Sequence, residues 1–385
     1  MKNRKTGSSS YARSGVNLEA GDLFSAYAGE LCRSSYRNSP FVDVHDVSRG
    51  YFRGPRGYTY KNLPDGCIMV AGGDGIGTKT VIITAAGMYS TASRNLLAMT
   101  AGDITRYGGL PLVFLNILEV KSLGKPRSSA FGHFKRLMLG LAGEAKKEGY
   151  VLLGGETAEM SACFSSEIVG TDIAFNWNGV MLGVTHPEKV IDGSSLAPGQ
   201  VVIALRDGLR SNGASEDRKY FRGTFGTEWW NNPDALEEIA EAAEPAVLYD
   251  RLFTTANGWH EPDFRPKIKV HGIAHLSGGG IQSKFFEGLL QPSGHSAVLE
   301  NLWEPPRVVA NCVRAHKLPD DEAYTIFNGG QGALAVVDEL DAPRFCVMAH
   351  GFGIQARPAG RIMKSRGAPL VGILSKFSGK KFFFR

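Results

Sequence analysis

The sequence predicts an α/β (α+β) protein of two domains joined near residue 190. Three observations carry that prediction. The chain has 385 residues, more than one ordinary core organises. Short apolar runs alternate with helical patterns in both halves. Between the halves, Pro187, Gly193, Pro198 and Gly199 give residues 186–199 the composition of a linker. The expected division is therefore an arm at 1–10, a first domain at 11–186, a second at 187–375 and a tail at 376–385.

The elements follow in order. Met1–Ser10 is basic and serine-rich, without an apolar core, and reads as a loose arm. Residues 49–60 are rich in Gly, Pro and aromatics and read as extended or looping chain. Cys67–Ala71 is a short apolar run, expected as a buried strand that stops at Gly72-Gly73-Asp74-Gly75. Residues 91–101 look helical, and Leu112–Leu115 reads as a strand. Phe131, Phe134, Leu137, Met138 and Leu141 recur at helical spacing, with Lys135, Arg136, Lys146 and Lys147 on other faces. That helix is expected to end at Gly149. Val151–Leu153 and Gly179–Val184 follow as strands. In the second half, strands are expected at Val201–Leu205, up to Leu276, and at Ala333–Val337, with a helix at 234–243. The end, Phe382-Phe383-Phe384, could dock or fray.

Composition narrows the function classes. The 43 basic and 38 acidic residues leave a net charge of +5, spread along the chain and not gathered into the stripe that nucleic-acid binders show. No run approaches the roughly 18 apolar residues of a membrane span. The N-terminus lacks the apolar segment of a secretory signal. Cys32, Cys67, Cys163, Cys312 and Cys346 form no C-x-x-C pair and are expected reduced and buried. A soluble cytoplasmic protein is the expectation, with no nucleic-acid or membrane partner.

The chemistry-bearing segments are glycine-lined turns beside acids. Gly72-Gly73-Asp74-Gly75-Ile76-Gly77-Thr78-Lys79-Thr80 stands directly after a strand. Glycine lets backbone N–H groups face a phosphate. Lys79 could neutralise phosphate charge, and Asp74 could hold a divalent cation through oxygen. A P-loop would need the lysine one residue earlier. Gly154-Gly155-Glu156-Thr157-Ala158-Glu159-Met160 follows another strand. If a helical turn starts there, Glu156 and Glu159 share a face, suited to magnesium or proton transfer; a helix start that merely favours acids is the other reading. Asp103 ends an apolar helix. Ser211-Asn212-Gly213, His275-Leu276-Ser277-Gly278-Gly279-Gly280 and Phe327-Asn328-Gly329-Gly330-Gln331-Gly332 are further small polar loops at strand ends; each alone could be plain turn chemistry.

Taken in order, these blocks resemble the signature segments of the aminoimidazole ribonucleotide synthetase (phosphoribosylformylglycinamidine cyclo-ligase) family. The likeness runs from Tyr11 to Gly372, and the block at 154–160 is its most specific part. The resemblance implies two α/β domains with mixed sheets, the first pairing with its copy in a homodimer. It implies ATP and Mg2+, and ring closure of formylglycinamidine ribonucleotide in purine biosynthesis. It places Asp74, Asp103 and Glu156 on the metal. It puts Gly75, Gly77, Thr78, Lys79, Glu156, Asn212, Gly213, Gly278 and Gly279 on the nucleotide. Asp74, Lys79 and His275 become the catalytic candidates, His275 for proton transfer because histidine titrates near neutral pH.

The chain also departs from the family pattern. Arg210 stands where a histidine precedes Ser-Asn-Gly, Gly102 where an asparagine precedes the acid, and Asn116 where an aspartate follows Phe-Leu. Ala12 and Asn17 replace a lysine and an aspartate. Other ATP-using enzymes of the wider superfamily remain open at this point: formylglycinamidine ribonucleotide synthetase, selenophosphate synthetase and thiamine-monophosphate kinase. So does a non-catalytic nucleotide-binding relative.

Overall fold

The structure is a computed structural model that describes residues 17–49 and 54–385. The expected arm at 1–10, and Tyr11, Ala12, Gly15 and Val16, lie outside the described residues. Helix α1 (Leu18–Ser35) starts at Asn17, whose side chain accepts from Ala20 N and so satisfies an otherwise unpaired helix-start donor. A two-stranded antiparallel ribbon follows, β1 (Val42–Asp46) with β2 (Arg56–Tyr60). Of the stretch at 49–60 read as extended or looping, Arg56–Tyr60 is extended.

The first large sheet has four strands: β3 (Ile68–Gly75), β4 (Leu110–Val120), β5 (Val151–Glu159) and β6 (Phe175–Thr185), in the order β3-β6-β4-β5. Only β4 and β5 run parallel. That pairing needs a long crossover, supplied by α5 (Ser129–Glu148), which Gly149 closes in the left-handed conformation. Between β3 and β4 lie α2 (Lys79–Ala86), α3 (Ser93–Thr100) and α4 (Gly102–Thr105). Phe114, Leu118, Trp177 and Met181 from the sheet pack with Phe24, Leu97, Phe134, Leu137 and Leu141 from the helices. This is the apolar stripe that the 3.6-residue period of α5 foretold.

The second sheet has seven strands: β7 (Val201–Arg206), β8 (Val270–His275), β9 (His295–Leu299), β10 (Gln331–Val337), β11 (Ala356–Lys364), β12 (Val371–Leu374) and β13 (Lys381–Phe384). Their order is β13-β12-β9-β11-β7-β10-β8. Along β7, Val201, Ile203 and Leu205 enter one core while Val202 and Ala204 enter another. Both faces are covered, which is why β7 reads as an unbroken apolar run. The expected tail is part of this sheet, because β13 pairs with β12. Phe384 is buried and Phe383 exposed, as the two-residue strand period requires.

The halves interlock. Ile82 of α2 packs among Leu209, Phe221 and Ile239 of the second half, from the loop after β7, α6 (Ala214–Phe225) and α7 (Leu236–Ala243). Thr105 Oγ1 donates to Asp250 Oδ1 at 2.7 Å, at the start of α8 (Asp250–Asn257). Trp259 Nε1 donates to Gly108 O at 2.7 Å. Among the described residues no helix is long and apolar enough to cross a membrane. The cysteines are free as expected, but only Cys32 and Cys312 are buried; Cys163 is exposed.

Candidate active site

β3 ends in Asp74 and Gly75, and α4 starts at Gly102 beside it. Gly72 lies so close to α4 that an added Cβ would meet Asp103 Cβ at 3.1 Å. The small residue therefore lets the two acids approach. Asp74 Oδ1 accepts from Gly75 N at 2.7 Å. Burial raises the Asp74 pKa, and the nearby Asp103 carboxylate raises it further. A half-buried carboxylate with a second one beside it is a donor set that suits a hard divalent cation. Arg106 partly balances Asp103 at 3.5 Å.

Glu156 is not part of this pair. Asp74 pairs with Gly179, Gly179 with Asn116, and Asn116 with Gly155. The neighbour of Glu156 thus lies three strand spacings away, about 14 Å. The expectation that Asp74, Asp103 and Glu156 share one metal within a chain is corrected accordingly; no group of three such ligands exists among the described residues. The expected helical turn at 154–160 is also overturned, since β5 continues through Glu159. In a strand, residues three apart face opposite ways. Glu159 accepts from Asn17 N at 2.8 Å and Leu123 N at 2.7 Å, which ties it to the frame. Glu156 and Glu159 both border a groove of about 470 Å3 at the edge of β5 beside α1, with Arg33, Asn116 and Thr157. Gly155 must be glycine there, because a Cβ would collide with the Asn116 carbonyl. Asn116 itself accepts from the Trp177 indole.

Lys79 also differs from expectation. Its side chain is fully buried, and its amine donates to the carbonyls of Leu209 and Glu244. It pins α2 to the second half and faces no ligand cleft. Burial lowers its pKa to about 7. Its neighbour Thr78 meets Ser215 at 2.9 Å across the same boundary. Gly77 has a φ of +54°, with open space where a Cβ would stand, and Gly278 is equally open. These two glycines leave backbone N–H groups unscreened by side chains.

From the second half, Asn212 Nδ2 donates to Ile326 O at 3.1 Å, fixing the loop before β10. Gly213 starts α6 with a φ of +87° and sits against the Phe327 ring. Gly279, with a φ of +87°, opens the way to a π-helix at Gln282–Leu290. His275, the last residue of β8, is buried, and its pKa lies well below the usual histidine value. Burial is the first cause; the charges of Arg210, Arg106 and Lys284 add to it. That direction runs against the expectation that His275 titrates near neutral pH.

Lys284, Arg106 and Asp207 were not singled out by sequence. The charge of Lys284 acts on both Asp74 and His275. Only its place four residues after the Gly278–Gly280 turn hints at this. Asp207 stands three residues before Arg210, a spacing compatible with the ion pair they form.

Two family models match the chain: AIR synthase related protein, N-terminal domain, over residues 58–185, and its C-terminal domain over residues 197–371. A phosphoribosylformylglycinamidine cyclo-ligase of Myxococcus xanthus is 30% identical over 361 residues, covering 93% of this chain and 96% of its own. The chain belongs to the cyclo-ligase family. A cyclo-ligase of Synechococcus elongatus is likewise 30% identical, over 94% of this chain and 99% of its own. The fold is shared more widely. A thiamine-monophosphate kinase from Stenotrophomonas maltophilia superposes with a TM-score of 0.56 at 12% identity, over 89% of this chain and 94% of its own. The hydrogenase maturation protein HypE of E. coli gives 0.55 at 14%, over 95% and 97%.

Proposed function

We propose that this chain is an ATP-dependent cyclo-ligase that converts formylglycinamidine ribonucleotide to aminoimidazole ribonucleotide. The observation that carries the reading is the end-to-end match to cyclo-ligases, 93% of this chain against 96% of the relative. The paired Asp74 and Asp103 supply chemistry that fits it. The substrate amide oxygen takes the γ-phosphoryl group of ATP, a substrate nitrogen attacks the same carbon, and phosphate departs with the oxygen. The protein's task is to hold the reactants together and to offset charge.

Asp74 and Asp103 would hold Mg2+, which neutralises phosphate charge when bound. The open backbone at Gly75, Gly77, Thr78, Gly278 and Gly279 would receive phosphate oxygens, and Asn212 and Gly213 shape the loop opposite. A division at 11–186 and 187–375 and a cytoplasmic setting accompany this reading. So does a homodimer. By strand register, Ala71, Val180, Leu115 and Ile117 share the sheet face turned from α1 and α5, with exposed Met69 at its border. An apolar face of that kind suits a second copy, which could bring its own Glu156 to complete a site.

The test is product formation. Purified protein with formylglycinamidine ribonucleotide, ATP and Mg2+ should yield aminoimidazole ribonucleotide, ADP and phosphate. Asp74→Asn should abolish Mg2+-dependent turnover with an unchanged circular dichroism spectrum. A folded protein that forms no product rejects the activity; an Asp74→Asn variant of full activity rejects the metal assignment.

A further inference from the structure

The buried charge at Arg210 bears directly on what His275 can do. The guanidinium has donors only. One nitrogen donates to Asp207 Oδ2 at 2.7 Å, and the other points at Ala98 O (3.3 Å) and His275 Nε2 (2.5 Å). Asp207 is itself held by Gly208 N at 2.8 Å and Val247 N at 3.1 Å. Arg210 and its carboxylate are fully buried, so the fork has no freedom to turn away.

A donor facing Nε2 requires a lone pair on that nitrogen. The ring proton must then sit on Nδ1, which is buried without a protein partner. Gly102 permits this placement, because any Cβ there would stand 2.5 Å from Cε1 and 2.8 Å from Nδ1 of the ring. Arg210 and Gly102 thus converge on one imidazole. The surrounding groups agree. Arg106, Tyr249 and Asp250 line a cavity of about 10 Å3 with the ring, room for a single water. Lys284 adds a further positive charge.

We propose that Arg210 is a positioning residue that holds His275 as a neutral imidazole protonated on Nδ1, so that His275 offers a fixed hydrogen-bond donor and takes no proton during ring closure. The kinetic part of this inference rests on the cyclo-ligase reading; the tautomer does not. The proton released by the attacking nitrogen goes to another acceptor, such as solvent.

The experiment has two arms. In the first, the full-length protein carries 15N-labelled histidine, and its imidazole nitrogens are followed between about pH 5 and 8, where free histidine titrates. The His275 signals are those lost in His275→Gln, or, if that variant does not fold, those moved most by Arg210→Lys. We expect a protonated Nδ1, an unprotonated Nε2 and no titration in this range. An Nε2-protonated ring, or one that titrates there, overturns the proposal. In the second arm, kcat/KM is measured against pH. His275→Gln and His275→Asn keep an N–H donor but cannot titrate, and should leave the shape of the pH profile unaltered whatever they do to its height. A folded variant whose profile loses a limb that wild type shows between about pH 5 and 8, the mark of a lost general base, overturns it. A wild-type protein that makes no product would reject the cyclo-ligase reading while the first arm still decides the tautomer.

Discussion

Replacing Gly102 by alanine places one methyl group at the tightest contact on His275. The new Cβ would stand 2.5 Å from Cε1, 2.7 Å from Nε2 and 2.8 Å from Nδ1, whereas carbon contacts relax only near about 3.5 Å. The ring must therefore retreat by about 1 Å. It cannot do so and keep its bond to Arg210, which is anchored on Asp207 and Ala98. Overpacking costs about 1–3 kcal/mol. A lost hydrogen bond to a charged group costs about 1.5–3 kcal/mol more. Alanine recovers about 1 kcal/mol over glycine in the helical α4. The net expectation is a loss of about 1.5–5 kcal/mol. Urea denaturation followed by circular dichroism measures it, with kcat/KM recorded on the same protein. A change below about 0.5 kcal/mol, the scale of an inert surface substitution, together with unaltered kcat/KM, would refute the packing argument.

Three further outcomes follow from the structure. The Glu148 pKa is raised to about 8, by burial first and then by the charge of Asp250. The folded protein therefore holds a proton that the unfolded chain releases, and stability falls as pH rises from about 4.5 to 8; Glu148→Gln should flatten that slope in thermal melts. Glu167 is the opposite case. Burial would raise its pKa, but hydrogen bonds from Arg218 and Trp229 outweigh burial and hold it low. Its contribution is present above the unfolded pKa and lost as pH falls. Glu167→Gln should cost about 1–3 kcal/mol and speed proteolysis between 161 and 174. At the C-terminal strand, Phe384→Ala should destabilise by about 3–5 kcal/mol, while exposed Phe383→Ala stays within about 0.5 kcal/mol; equal effects would show that β13 does not dock as described.

Much was legible in the sequence because it is set by local physics. The helix at 129–148 follows from the spacing of Phe134, Leu137 and Leu141, and its end from Gly149. The strand at 201–205 follows from an apolar run too short for a helix. The order of the glycine-and-acid blocks carried the family, since their glycines and acids stand at fixed places along the chain. Where local cues were ambiguous, the reading failed. Gly154-Gly155 suggested a turn, yet the chain stays extended because β4 lends Asn116 as a close neighbour. The three phenylalanines at the end carried no partner in their own sequence; β12 and Tyr324 supply it.

By itself, then, the sequence determined which segments become helix and strand and which loops carry acids and glycines, because periodicity and turn chemistry act over a few residues. Tertiary structure alone decided which of those groups meet. Packing of α4 on β3 put Asp74 beside Asp103, and strand order left Glu156 across the sheet. Packing of the halves buried Lys79 against carbonyls and set Arg210 on His275. Sheet order, helix packing and domain docking join residues from tens to more than a hundred positions apart, and no local pattern encodes a contact of that range.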